Sequence, residues 1–142
     1  MRWIAALLLI PGPALAWEFS PLPVCTLRHA GEAAEVVVTY DPSLPEYAIS
    51  VTLAEGTWPA APLFAIAFQG GAALTITTDR HVRSPDGRTL TVTDRGFGNV
   101  LNGLEFNGVA QAMSGGRTVP VALDGAAAPV RAFRGCPSLA TS

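Results

Sequence analysis

Two histidines, two cysteines, a serine–glycine turn and a scatter of carboxylates are the residues in this chain whose types bear on chemistry. A catalytic zinc site takes three protein ligands, and neither H-E-x-x-H nor a Cys/His cluster surrounds His29 or His81. Both read as surface residues, His29 beside a turn and His81 on a hairpin face. His81, Ser84 and Asp86 supply the atoms of a Ser-His-Asp set, but as three neighbours around one turn they suit the turn better than a triad. Ala112-Met113-Ser114-Gly115-Gly116 resembles a G-x-S-x-G elbow with alanine in first place. That elbow must join a strand to a helix, and 117–121 reads as a strand. Gly96-Phe97-Gly98 opens like a dinucleotide fingerprint, yet Leu101 stands where the third glycine is needed and no strand–helix–strand unit surrounds it. A G-x-x-x-x-G-K-[ST] loop is impossible in a chain without lysine, which excludes nucleotide-driven work on DNA. Carboxylate pairs for glycosidase chemistry can be drawn from Asp79, Asp94 and Glu105. Asp94 has a plainer use, as an ion-pair partner for Arg80 across a hairpin. No catalytic residue, cofactor or metal ligand is assigned.

Binding is the remaining possibility. Tyr40, Tyr47 and Trp58 lie in or beside two irregular, proline-bearing segments, 41–46 and 55–62. Phe97 and Asn99 lie in a third, glycine-rich segment, 95–103. Loops on a rigid sheet are where binding residues collect. These five residues form the candidate binding surface.

The chain of 142 residues is one domain in size, with 14% charged and 49% hydrophobic residues. Soluble domains carry about 25% charged residues, and low charge with high apolar content excludes a disordered tail. The formal charge of −2 opposes nucleic-acid binding, which needs a concentrated positive field. Arg2, the apolar run 3–10, the breaker Pro11-Gly12-Pro13 and Ala14-Leu15-Ala16 follow the order of a signal peptide. Cleavage after Ala16 is expected to remove 1–16 and leave 17–142 as a single β-rich domain, periplasmic or secreted. No later apolar stretch reaches membrane-spanning length. In an oxidising compartment Cys25 and Cys136 have one intramolecular pairing, a disulfide.

Short alternating runs separated by turn signals predict an all-β domain, an antiparallel β-sandwich or open barrel with a short C-terminal α-helix. Strands are expected over 24–29, 35–40 and 47–53, the last with Ile49, Val51 and Leu53 on one face. Phe64, Ile66 and Phe68 alternate, as do Leu74 and Ile76. A three-residue loop over 70–72 pairs Phe68 with Leu74 and Ile66 with Ile76, placing all five on one face. Pro85-Asp86-Gly87 predicts a hairpin. A three-residue loop there pairs Val82 with Leu90 and turns His81, Arg83, Thr89, Thr91 and Thr93 outward. The 95–103 segment is expected to be loop or a single helical turn, 104–113 a strand, and 118–123 its partner across Gly115-Gly116. Asp124 is a fitting N-cap for a helix ending at Gly135, with Val130 and Phe133 against the sheet and Cys136 just beyond.

The tail 119–133 sets strand residues Val119, Val121 and Leu123, a small-residue turn and the apolar helix residues Val130 and Phe133 in succession. In this it resembles the closing segment of invasion-associated locus B-type periplasmic proteins. That resemblance implies an exported β-rich domain and carries over no functional residue. The expected function is a non-enzymatic exported domain that binds an envelope protein or cell-wall component, or supports envelope integrity, and that shows an apolar patch near Tyr40, Tyr47 and Trp58. The alternatives are an inhibitor of an envelope-directed hydrolase with 95–103 as a protruding wedge, and a hydrolase with a pocket lined by His29 or His81 and a carboxylate.

Overall fold

The computed structural model describes residues 16–140, so the expected signal segment, apart from Ala16, lies outside the described residues. Two antiparallel sheets face each other. The larger holds β1 (Glu18–Ser20), β2 (Cys25–Ala30), β3 (Ala34–Asp41), β4 (Glu46–Leu53), β8 (Thr89–Asp94) and β7 (Val82–Arg83), in that spatial order. The smaller runs β10 (Arg117–Ala122), β9 (Val109–Ser114), β5 (Phe64–Gln69), β6 (Leu74–Thr78). Among the described residues no helix is long and apolar enough to cross a membrane.

Period-2 alternation decides which side chains meet. Leu27, Val36, Val38, Ile49, Val51 and Leu90 of the larger sheet are buried, as are Phe64, Ile66, Phe68, Ala110, Ala112, Val119 and Val121 of the smaller. The predicted register of β5 and β6 is the one found, with Ile66 opposite Ile76 and Phe68 opposite Leu74. Ile66→Ala is therefore expected to cost about 2–4 kcal/mol in a urea titration, and a loss below about 0.5 kcal/mol would contradict this packing. The Gly115-Gly116 turn is also as predicted. Ser114 pairs with Arg117, and both glycines take positive φ, 60° and 85°, as a two-residue hairpin turn requires.

The hairpin after β7 differs from the prediction by one residue. Val82 pairs with Thr91 and Arg83 with Leu90, so the loop has four residues, not three. The Ser84 hydroxyl donates to Asp86 Oδ1 at 2.7 Å and accepts from the Thr89 amide at 3.0 Å. Gly87, at φ 75°, closes a turn onto the Ser84 carbonyl at 2.9 Å. The Ser84 hydroxyl, followed by the Arg88 amide, holds the Asp86 carboxyl below its ordinary value. These local bonds favour the longer loop over the shorter. Because a one-residue slip exchanges faces, Val82 is the outward residue, 66% exposed. His81 and Arg83 turn instead toward loop 54–63.

Further corrections concern helices and a missed strand. The segment predicted as loop or one turn is α1 (Gly98–Glu105), whose Val100, Leu101 and Leu104 are buried, and the expected strand from 104 starts only at Val109. The final helix α2 (Ala127–Ala140) passes through Gly135, so Cys136 lies inside it. Glycine inside a helix costs about 1 kcal/mol, which burial of Ala126, Val130, Phe133 and Cys136 on one stripe offsets. Asp124 is not its cap. It sits in a turn closed by Ala126 N–H on the Leu123 carbonyl, with Gly125 at φ 79°. Strand β1 was not predicted, since three residues before Pro21 and Pro23 are too few to show alternation.

The smaller sheet leaves β1 and β2 uncovered, and α2 packs there, touching α1 as well. Cys25 on β2 and Cys136 on α2 form the predicted disulfide, with 2.02 Å between sulfurs and a separation of 111 residues. Arg131 and Arg134 of α2 both reach the nearly buried Glu105 carboxylate of α1, at 3.4 and 2.8 Å.

Candidate functional site

The five candidate surface residues separate into three places. Tyr40 and Tyr47 are opposite each other on β3 and β4, with ring centroids 4.6 Å apart. Tyr47 stacks on Phe97 at 5.3 Å and meets Phe133 at 6.1 Å. Burial, reinforced by Tyr40 and opposed by Arg134, raises the Tyr47 phenol above its ordinary value. Phe97 is buried, so these rings close the core beneath α1 and α2. Trp58 is at the far end, fully buried, its indole N–H on the Val51 carbonyl at 3.2 Å and its ring 5.9 Å from Phe64. The expected exposed patch of Tyr40, Tyr47 and Trp58 therefore does not form. A ring's place in or beside a loop does not show which way it points, and here the apolar rings turn inward. Only Asn99 stands exposed.

A different surface lies beside Phe97 and Asn99. The sandwich is open where β6, the free edge of the smaller sheet, faces the end of β8. Strand β7 pairs only with Leu90 and Thr91 of β8, so the outer edge beyond Thr91 is uncovered by it. Between these edges and the start of α1 is a groove of about 470 Å³. Ile49, Phe64 and Ile66 line its base, Ile76 and Val92 its flanks, and Gly96, Gly98 and Asn99 its mouth. Arg80 and Asp94 stand at the rim, 3.9 Å apart and both exposed. Their pairing across the hairpin was anticipated, although the register behind that expectation was not the one found. Gly96 and Gly98 have no atom within 4 Å of where a Cβ would stand, so the mouth is open there. A groove of this volume, mainly apolar with a few polar groups at its edge, has the character of a ligand site. The sequence reading set Ile76 on the face shared with Phe64, Ile66 and Phe68. Ile76 and Val92 are only half-buried because β6 is the edge of its sheet and β7 does not reach Val92, which the sequence alone does not reveal.

A second hollow, about 730 Å³, lies along β10 and is lined by His29, Glu32, Asp124 and Ala16, the first described residue. His29 is not the surface residue predicted. It is buried and stacked on Trp17, with ring centroids 4.7 Å apart and planes 8° from parallel. Trp17 is anchored in turn by its indole N–H on the Ala122 carbonyl at 3.0 Å. That stack packs one face of the imidazole against Trp17. His81 Nε2 lies 3.0 Å from the Ala61 carbonyl, which makes that nitrogen the donor. Among the described residues no group of three or more His, Cys, Asp or Glu is arranged to hold a metal. The 95–103 segment expected as an inhibitory wedge runs from 98 onward as the first part of α1, whose Val100 and Leu101 are buried, rather than protruding. No family model, curated protein or solved structure matches the chain.

Proposed function

We propose that this chain is an exported, non-catalytic binding domain and that the groove between β6, β8 and α1 receives an apolar part of an envelope component. The groove carries this reading: half-buried Ile76 and Val92 present apolar surface in it, backed by the core residues Ile49, Phe64 and Ile66, without either sheet having to unfold. Burying apolar area gives about 25 cal/mol per Å², enough to hold an acyl chain or an apolar side chain at such a site. The disulfide and the signal-like N-terminus support an oxidising compartment outside the cytoplasm as its site of action. The resemblance of the tail to invasion-associated locus B-type proteins is in keeping with that.

Gly98→Trp tests the groove. The glycine lines it and has open space around its Cβ position, so the substitution fills the site without disturbing the fold. Stability is expected to change by no more than about 0.5 kcal/mol. Binding of a neutral solvatochromic dye, displaced from the parent by an envelope extract, is expected to weaken about tenfold or more. A variant that binds the dye as well as the parent would refute the site. Export is checked separately: mass spectrometry of material from outside the cytoplasm is expected to show a chain starting at Trp17, and an intact Met1 or Arg2 would refute cleavage.

A further inference from the structure

At the end of the sandwich away from α1, three arginines converge on one loop. Arg83 of β7 donates from Nε to the Trp58 carbonyl at 2.7 Å. Arg88, in the hairpin that follows, donates from one terminal nitrogen to the Leu53 and Ala54 carbonyls at 2.7 and 3.1 Å. Arg117, from the other sheet, reaches the Glu55 and Thr57 carbonyls at 2.9 and 3.5 Å. Two glycines at positive φ make room for these groups. A Cβ on Gly56 would stand 2.6 Å from Arg117 Nη1, and one on Gly87 would stand 2.6 Å from Arg83 Nη2. Among the described residues, Arg28, Arg80, Arg131 and Arg134 each have a carboxylate within ion-pair distance; Arg83, Arg88, Arg95 and Arg117 have none, and of these four Arg83, Arg88 and Arg117 are the ones held on the carbonyls of this loop.

We infer that Arg83, Arg88 and Arg117 form a binding site for a phosphate-bearing ligand. A guanidinium carries five N–H donors in a fixed plane, and the carbonyl bonds engage only part of each set. The bonds to loop 53–58 hold the three groups in place before any ligand arrives, so little side-chain freedom is lost on binding. Backbone carbonyls orient a guanidinium without neutralising its charge. An anion with several oxygens supplies what the carbonyls do not, through charge-assisted and often bidentate hydrogen bonds. The carboxylates nearby in the chain are Glu55 and Asp86, and Asp86 is already engaged by Ser84 and the Arg88 amide. Three guanidiniums along one short loop fall short of the long positive track of a nucleic-acid site. They suit a compact group with more than one phosphate, or adjacent lipid headgroups.

The test uses tripolyphosphate as a soluble probe and vesicles of equimolar phosphatidylglycerol and phosphatidylcholine as a membrane probe, at about 50 mM salt, where screening is modest. Binding to either supports the site, and which probe binds tells whether the phosphate comes from solution or from a lipid. Arg88→Gln is expected to weaken binding about tenfold, as loss of a charge-assisted bond implies. Arg88→Lys is expected to fall between the two, and Arg28→Gln to leave affinity unchanged. In the parent protein, amide resonances of Gly56, Thr57 and Gly87 are expected to shift on titration, a readout independent of any variant's folding. Absence of binding to both probes, titration shifts spread evenly over the surface, or equal weakening by Arg28→Gln would overturn the inference.

Discussion

Cys25→Ser combined with Cys136→Ser is expected to lower the melting temperature by roughly 10–20 °C. The chain-entropy relation assigns a loop of about 100 residues some 4.7 kcal/mol, and the bond here closes 111. A domain of this size shifts by about 4 °C per kcal/mol. The effect is not spread evenly. The bond joins β2 to α2 where the smaller sheet does not cover the larger, so α2 is the element it secures. Isolated helices of this length are marginal in water. Amides of α2 are thus expected to lose hydrogen-exchange protection first, while the Ser84–Thr89 hairpin, closed by its own side-chain bonds, keeps its protection. A double variant as stable as the parent, or free thiols in protein recovered from outside the cytoplasm, would refute the structural role of the bond.

The strands and their facing sides were legible because alternation is a local property. Ile49, Val51 and Leu53 could be put on one face of β4 from spacing alone, and the β5–β6 register followed from asking which loop length keeps Phe64, Ile66, Phe68, Leu74 and Ile76 together. The β7–β8 hairpin shows where this reasoning runs out. The pattern Val82-x-x-Pro-Asp-Gly-x-x-Leu90 fits either loop length, and the choice rests on hydrogen bonds from Ser84 that hydrophobic counting does not contain. Helix α1 was hidden for a related reason. Its Gly98, Asn99, Asn102 and Gly103 have poor helix propensity, and only the surface against which Val100, Leu101 and Leu104 pack makes it a helix. Gly103, which reads as a breaker, is required: a Cβ there would lie 2.3 Å from the Phe68 ring. The candidate site was the least legible feature. Aromatic residues near loops were a reasonable sign of binding, but an open edge between two sheets is a property of strand order. Strand order is set by long-range pairings such as β4 with β8 that no local pattern reports.

Phe133→Ala is expected to cost about 3–5 kcal/mol, the range for deleting a large aromatic side chain from a core. Phe133 is fully buried on α2, edge-on to Phe19 at 6.5 Å and 6.1 Å from Tyr47, so it ties the helix to β1 and to the aromatic group over β4. Neither contact belongs to the sheets' own interface, and the void left behind lies at the one place where α2 substitutes for missing strands. Phe133 and the disulfide thus hold the same element by different means. Their effects are expected to be non-additive, because residues that act through one docked element couple by about 0.5–3 kcal/mol. In urea titrations the full cost of Phe133→Ala should appear when the bond is intact. In the Cys25→Ser/Cys136→Ser background the cost should be smaller, since α2 is then already partly released and less of its packing remains to lose. Equal costs in both backgrounds would show that α2 stays docked without the bond, which would place the stabilising effect of the disulfide wholly in the unfolded chain.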